Sequence, residues 1–438
     1  MRVKGSTTDT PTLADAIRAG DQQVIASIAS FPLIPRNDNF MARPWAGQRL
    51  CAYKGLGATS KQRWGEAFEV AAFADDEEAR AHPSCIQLVD GSEIGLPELL
   101  TVAGLEILGK DFVNLHGRQL PLLPKILDVG VLQSVQAHPE GFTEVYVIIE
   151  AEEGATLRLG FKHDVDRAKL GDCLEGGQLL QNRLLKRLGG NVDVEALQAA
   201  LASNFSRRDV SAETALSTLN LRLRNDDVGK IAETLRELKS LYWEVLDLLN
   251  EVPATPGQVI YNANSEDVFA ASGRARSAEV HALGNPEGRD ILALEIRRPG
   301  PTYRAWDHAR FPLRDIDVGK TMDALNPRAT RAADFIVTPR ELADFPRVFR
   351  SVQDDWFVVD HLRPLPGITV AVPAESKVHT LHAIRGTVTL LSGNNETLGV
   401  LTRGQSALVP VNIGNYRMTT VDDDAEVVMV TIRTTTLG

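Results

Sequence analysis

Cysteine is nearly absent from this chain of 438 residues, with only Cys51, Cys85 and Cys173, far apart in sequence. An odd number without any Cys-x-x-Cys pair excludes a disulfide framework and a cysteine-built zinc site. No run of about 18 apolar residues occurs, which excludes an α-helical membrane span. The opening residues, Met1 to Thr8, lack the apolar stretch of a secretory signal, so a reducing cytoplasm is the expected compartment. Positive charge is in deficit: 47 Lys and Arg against 58 Asp and Glu give a net charge of −11. That balance argues against a nucleic-acid partner or an anionic membrane surface. It leaves an anionic small substrate open, because a few cations converging in one pocket hold a phosphate whatever the overall sign. Short-period repeats and low-complexity tracts are missing too.

What is present is ordinary globular material, 43% apolar and 24% charged, too long for one small core. Residues from Thr12 to Phe31 read as one amphipathic helix, with Leu13, Ile17, Val24, Ile25 and Ile28 near helical spacing. The stretch from Leu50 to Val89 reads as extended, with a strand at Trp64 to Val70, and a short helix follows from Leu96 to Leu108. Four strands are expected at Leu122 to Leu127, Leu132 to His138, Glu144 to Ala151 and Thr156 to Phe161. The pattern then turns helical from Asp164 to Asn250. Its last helix carries Val228, Ile231, Leu235, Leu238, Tyr242, Val245 and Leu249 as one stripe for helix–helix packing. Strand character returns at Gln258 to Tyr261 and Ile291 to Arg297, so the helices read as an insertion in one β-domain. A mixed connector spans Arg314 to Ala343, and a second β-unit runs from Trp356 to Ile432. The expected domains are 1–163 with 251–330, the helical insertion 164–250, and a C-terminal unit 331–438.

One short segment carries chemistry. In Leu132-Gln-Ser-Val-Gln-Ala-His138, Gln136 and His138 are two apart in an extended stretch and point to one side. Pro139, Glu140 and Gly141 make a turn, and Glu144 opens the return strand. An amide oxygen, an imidazole and a carboxylate brought to one point suit a borderline divalent metal such as zinc. The plain alternative is a solvated turn with polar neighbours.

Several blocks, in order along nearly the whole chain, resemble the class I mannose-6-phosphate isomerases, a family of zinc-dependent double cupins. They are Arg43-Pro-Trp-Ala-Gly47, Gly65-Glu-Ala-Phe-Glu-Val70, Leu122-Leu-Pro-Lys-Ile-Leu-Asp128, Leu132 to Pro139, Val280-His-Ala-Leu-Gly284, Ile291-Leu-Ala-Leu-Glu295 and Tyr303-Arg-Ala-Trp-Asp307. The resemblance implies a mainly β fold: two jelly-roll cupin barrels with an inserted helical domain. It implies one Zn2+ per chain on Gln136, His138, Glu144 and His281. It carries the active-site roles to Glu66, Lys125, Glu295 and Arg304, with Lys125, Arg304 and Glu295 binding substrate. Lys125 lies in an apolar strand, where burial without a partner is costly, and this also favours a pocket role. The implied reaction is aldose–ketose isomerisation of mannose 6-phosphate and fructose 6-phosphate through a cis-enediol. The expected partner is a small sugar phosphate, with no nucleic acid or membrane, in a monomer or weak homodimer.

Three departures bear on the substrate. The family's usual Lys two residues before the third zinc ligand is Phe142 here. The connection between His138 and Glu144 is only five residues, so the pocket is expected to be more open. A longer segment, Phe269 to Glu279, precedes His281; its Arg274 and Arg276 are candidates for the missing charge but read first as a solvated loop. In the C-terminal unit, His379 and His382 are three apart on an expected strand and point to opposite faces, so that barrel is expected to be structural and metal-free. Two alternatives stay open: a related cupin isomerase or epimerase on another sugar or sugar phosphate, and a metal-containing sugar-binding protein without turnover.

Overall fold

Alternation of apolar and polar residues along short strands, with turns between them, folds most of this chain into antiparallel sheets. The computed structural model describes residues 11–57, 62–73, 76–188, 211, 225–263, 277–307, 316–374 and 377–434. A seven-stranded sheet runs in the order Phe40–Met41, Glu66–Phe68, Lys125–Val129, Ile291–Arg297, Glu144–Ala151, Val259–Asn262, Ile336–Val337. It faces a five-stranded sheet of Tyr303–Trp306, Val135–Ala137, His281–Ala282, Thr156–Phe161 and Leu249–Pro253. These two sheets make the first barrel, which closes around Tyr146, Ile148, Leu157, Leu159, Ile260, Ile291 and Ala293. A six-stranded and a four-stranded sheet make the second barrel, filled by Val348, Leu381, Leu390, Leu401, Met418, Val427 and Met429. The fold is mainly β, a double cupin with inserted helices.

The period-two pattern decides which face each strand gives to which core. On Glu144–Ala151, Tyr146 and Ile148 point into the first barrel, whereas Val145, Val147 and Ile149 point outward. The outward set meets Val428, Val430 and Ile432 of the second barrel and the helix Leu96–Leu108, in one shared core. Each such Val, Leu or Ile fully removed from water contributes about 1.5–3 kcal/mol, so the barrels are joined by a genuine interior. The insertion covers the other side. Helices Arg167–Leu188 and Asn225–Leu248 bury Leu174, Leu184, Ile231, Leu235, Leu238, Tyr242 and Val245 against Val135, Ala282 and Trp306 of the five-stranded sheet.

Several expectations need correction. The single helix over Thr12 to Phe31 is two, Leu13–Arg18 and Gln22–Ile28. Gly20 takes a left-handed conformation (φ 78°) between them, and the Asp21 side chain caps the second. The region from Leu50 to Val89 is only partly extended: it also forms helices Leu50–Tyr53 and Glu77–Ala81, each capped at its start by an aspartate, Asp128 and Asp76. The strand expected from Leu122 begins at Lys125, just after Pro124, which has no N–H to give a ladder. Leu249 opens a strand rather than ending the helical stripe. The chain passes from the first barrel's sheet to the second's between Ile336–Val337 and Arg340–Leu342. Arg274, Arg276 and most of the loop before His281 lie outside the described residues, as do 189–210 and 212–224. The three cysteines are half-buried and unpaired. No helix among the described residues is long and apolar enough to cross a membrane.

Candidate metal centre and active-site cavity

The two sheets of the first barrel meet at the short turn after His138, and this is where the ligand set gathers. Gln136 lies on the strand Val135–Ala137, directly across from His281 on the neighbouring strand. Glu144 begins a strand of the opposite sheet. His138, Glu144 and His281 are all buried, and their ligand atoms lie within 4.8 Å of one another. His138 Nε2 is 2.8 Å from one oxygen of Glu144, and His281 Nε2 is 3.1 Å from the other. The two imidazoles stack with centroids 5.3 Å apart. Gln136 lines the same cavity, and its amide nitrogen is engaged by Ser134 Oγ at 2.9 Å, which leaves the amide oxygen for the cluster.

The tautomers follow from the second nitrogen of each ring. His138 Nδ1 contacts the Pro301 carbonyl at 3.1 Å, and His281 Nδ1 contacts the Glu279 carbonyl at 2.8 Å. A carbonyl only accepts, so both Nδ1 atoms carry the proton. Each Nε2 is thereby turned to the Glu144 carboxylate, and its lone pair is open to a metal once the ring is neutral. Burial opposes the charge on Glu144, but His138, His281 and then Arg297 outweigh it and hold the carboxyl well below its usual range. Burial pushes the His281 imidazole down, against the pull of Glu144. Lone pairs converging from two neutral imidazoles and an ionised carboxylate fit a divalent cation, and carbonyls on the far nitrogens are the usual outer support. Zinc therefore fits these residues.

Beside the cluster lies a cavity of about 50 Å³. Its lining includes Glu66, Lys125, Gln136, His138, Glu144, Glu295 and Arg304, so the structure brings together the residues expected from sequence, with His281 adjoining through Glu144. Lys125 and Glu295 sit opposite each other on paired strands, facing inward. Lys125 Nζ is 2.9 Å from Glu78 and 3.7 Å from Glu66. Burial pulls the Lys125 pKa down, but Glu66 and Glu78 overcome it and keep the amine charged. Glu295 has the opposite balance. Burial, helped by Glu144 and Glu66, outweighs Lys125 and Arg297 and pushes its carboxyl up to about 7.

Sequence reasoning missed Arg43, Glu78 and Arg297, which line the same cavity. Arg43 Nη2 donates to Glu66 and Glu78 at 2.7 Å each. Arg297 was within reach, since it follows Glu295 by two on one strand and must share its face. Glu78 carries no such signal; a short helix brings it in by tertiary packing. Phe142 is not among the lining residues: its ring lies under the Arg298 guanidinium, 4.8 Å away, and packs on Gly300, where a Cβ would fall 2.2 Å from the ring. His379 and His382 of the second barrel point to different cores, one stacked on Tyr416 and the other bonded to Ser406.

No protein-family model matches the chain, and no curated protein sequence matches it. Solved structures do. The mannose 6-phosphate isomerase from Bacillus subtilis shares 17% identity at a TM-score of 0.59, covering 91% of this chain and 99% of that one. A phosphomannose isomerase from Salmonella typhimurium shares 14% at 0.59, covering 92% and 99%. A zinc-bound mannose 6-phosphate isomerase shares 15% at 0.58, with the same coverage of 92% and 99%. At these identities the likeness speaks for architecture: this chain has the fold of the mannose 6-phosphate isomerases.

Proposed function

We propose that the chain is a zinc-dependent aldose–ketose isomerase that interconverts mannose 6-phosphate and fructose 6-phosphate. One zinc per chain is held by Gln136, His138, Glu144 and His281. The observation that carries this reading is the meeting, in one cavity, of a His–Glu–His cluster with a buried carboxyl whose pKa is about 7.

Isomerisation moves a proton from the second carbon of the aldose to the first, through a cis-enediol. A group that takes and returns that proton at neutral pH needs a pKa near 7 and a place inside the cavity. Glu295 has both, whereas Glu66 is held in an ion pair with Arg43 at 2.7 Å. Glu295 is therefore assigned as the proton carrier. Bound zinc supplies a Lewis-acid charge that polarises the sugar's carbonyl and hydroxyl oxygens. Lys125, kept charged by Glu66 and Glu78, stabilises negative charge developing on an enediol oxygen. Arg304, across the strand pair from Gln136, orients the substrate from the same side as the ligands. Trp45 and Leu127 form an apolar wall that limits water around the reacting carbons.

The test is a coupled assay for fructose 6-phosphate formed from mannose 6-phosphate, with zinc-loaded and chelator-treated protein. Zinc-dependent turnover is expected. Absence of turnover from folded, zinc-loaded protein overturns the substrate assignment. Exchange of the second-carbon proton with solvent, tried on other sugar phosphates, then separates an isomerase of another sugar from a binding protein.

A further inference from the structure

The charges around the cavity are not equally engaged. Arg43 and Lys125 are both held by Glu66 and Glu78, at 2.7 to 3.7 Å, in a compact quartet without net charge. Glu144 faces the two imidazoles. Arg297 differs. Its side chain is buried, 6% exposed, yet its nearest carboxylate is Glu295, with Nε and Oε2 3.7 Å apart, beyond hydrogen-bond reach. Its Nη1 donates to the backbone carbonyls of Arg298 and Gly300 at 3.4 and 3.3 Å. These carbonyls fix the guanidinium, whose charge is met by Glu295 and, farther off, by Glu144, Glu78 and Asp76.

Its place is equally particular. Arg297 sits directly across the strand pair from Glu144 and on the face of Glu295. A second cavity, of about 370 Å³, opens beside the first, and Glu78, Arg297, Thr302 and Arg304 line both. Arg297 and Arg304 thus stand where the two spaces join. The next residue, Arg298, faces away and lies over the Trp356 ring, 3.3 Å from its centroid. With a divalent cation on the ligand cluster, the lining of the first cavity alone carries net positive charge that a dianionic ligand matches, whereas Asp76 and Glu77 line the second beside Glu78.

We propose that Arg297 is the anion-recognising residue of this site, making a bidentate contact to the phosphate group of the substrate at the junction of the two cavities, beside Arg304. This rests on the isomerase reading above for the identity of the sugar, but not for the binding of phosphate itself. A planar guanidinium gives two parallel N–H bonds to a phosphate, which an amine cannot reproduce. Phe142, stacked outside the cavity, takes no part.

The experiment titrates inorganic phosphate into zinc-loaded protein by calorimetry, for the parent, Arg297→Gln and Arg297→Lys. Metal content and thermal unfolding are checked for each. Arg297→Gln is expected to weaken phosphate about 100-fold and Arg297→Lys about tenfold, with zinc retained. KM for mannose 6-phosphate should rise in the same order. Phosphate affinity within about twofold of the parent in either folded variant overturns the proposal, as does a parent that binds no phosphate. A parent that binds phosphate through Arg297 but does not isomerise mannose 6-phosphate sinks the isomerase reading and leaves this one standing.

Discussion

Both barrels bury histidines, and they use them in opposite ways. In the second barrel each ring has a complementary partner on both nitrogens. His379 contacts the Lys377 carbonyl at 2.8 Å and the Tyr416 hydroxyl at 2.7 Å. His382 lies 2.8 Å from the hydroxyls of Ser406 and Thr380. His361 bridges Glu426 and Ser351 at 3.0 and 3.1 Å. Hydroxyls donate or accept as needed, so these rings are satisfied where they are; burial pulls His379 down to about 4 against the Lys377 carbonyl, and burial with the nearby Lys54 charge pulls His382 down to about 3. In the first barrel His138 and His281 instead turn their Nε2 atoms to one carboxylate, a set that could hold a metal ion. Burial and polarity are therefore poor guides to a site. Convergence of ligating atoms on one point is a better one.

The largest effect that tests this contrast is on metal. His281→Ala should weaken zinc binding by more than about 100-fold, the upper end of what even outer-shell changes cause. His379→Ala should leave zinc in place and instead cost about 1–3 kcal/mol of stability, by stranding the Tyr416 hydroxyl. Metal analysis after dialysis, beside thermal unfolding, reads both. Full zinc retention in His281→Ala would remove that histidine from the ligand set.

Next comes the same chemical change made in each barrel. Glu295→Gln should lower kcat about 1000-fold with zinc retained, since general acid–base catalysis contributes roughly 100- to 10,000-fold. The parent's rate should rise with pH through about 7 as Glu295 ionises, and the variant should lose that limb. Stability should move the other way. The folded state holds the Glu295 proton more tightly than the unfolded chain does. A penalty is thus absent below about pH 4.5, grows as pH rises, and is complete above about 7. In metal-free protein at pH 8, Glu295→Gln should therefore be more stable by about 3 kcal/mol. Glu426 is the counterpart: burial opposes its charge, but His361 and Arg363 prevail and lower its pKa. Its contribution is present above about pH 4.5 and lost as pH falls, so Glu426→Gln should destabilise by about 2 kcal/mol at pH 8 and less in acid. Unfolding midpoints of metal-free protein at two pH values check both signs. A destabilised Glu295→Gln at pH 8 would show that its carboxylate is matched in the folded state.

The contrast also marks what a sequence can show. The strands Glu144–Ala151, Thr156–Phe161 and Ile291–Arg297 were legible to the residue, because alternation is local. Gln136, His138 and Glu144 were legible because one short connection joins them, although the strands on its two sides belong to different sheets rather than to a hairpin. His281, Lys125, Glu66, Glu295 and Arg304 come from separate strands, and the resemblance alone joined them. Glu78 stayed hidden: its helix lies within the stretch from Leu50 to Val89 that reads as extended, and only packing carries it to Lys125. The break at Gly20 was overlooked because the apolar spacing runs through it.

The smallest expected effect asks whether the second barrel is a passive neighbour of the first. Asp354 belongs to the turn between the strands Phe345–Gln353 and Phe357–Leu362 of the second barrel, and it is buried. Its Oδ2 accepts hydrogen bonds from Thr143 Oγ1 at 2.5 Å and from the Tyr261 hydroxyl at 2.7 Å. Thr143 precedes Glu144, a proposed metal ligand, and Tyr261 lies on the strand paired with that of Glu144. Two residues on, Trp356 supports Arg298, which in turn covers Phe142. The short turn between His138 and Glu144 is thus held from outside its own barrel. Asp354→Asn keeps the shape but weakens two charge-assisted bonds, so a loss of about 1–2 kcal/mol of stability is expected. If the turn depends on that hold, zinc affinity should also fall, by less than about tenfold, the lower end of an outer-shell effect. His382→Ala, buried in the second barrel but bonded to Ser406 rather than to the turn, serves as the control and should lose stability without losing zinc affinity. Equal zinc affinity in both variants would mean that the first barrel holds its ligands unaided, and that the two barrels share only a hydrophobic interior.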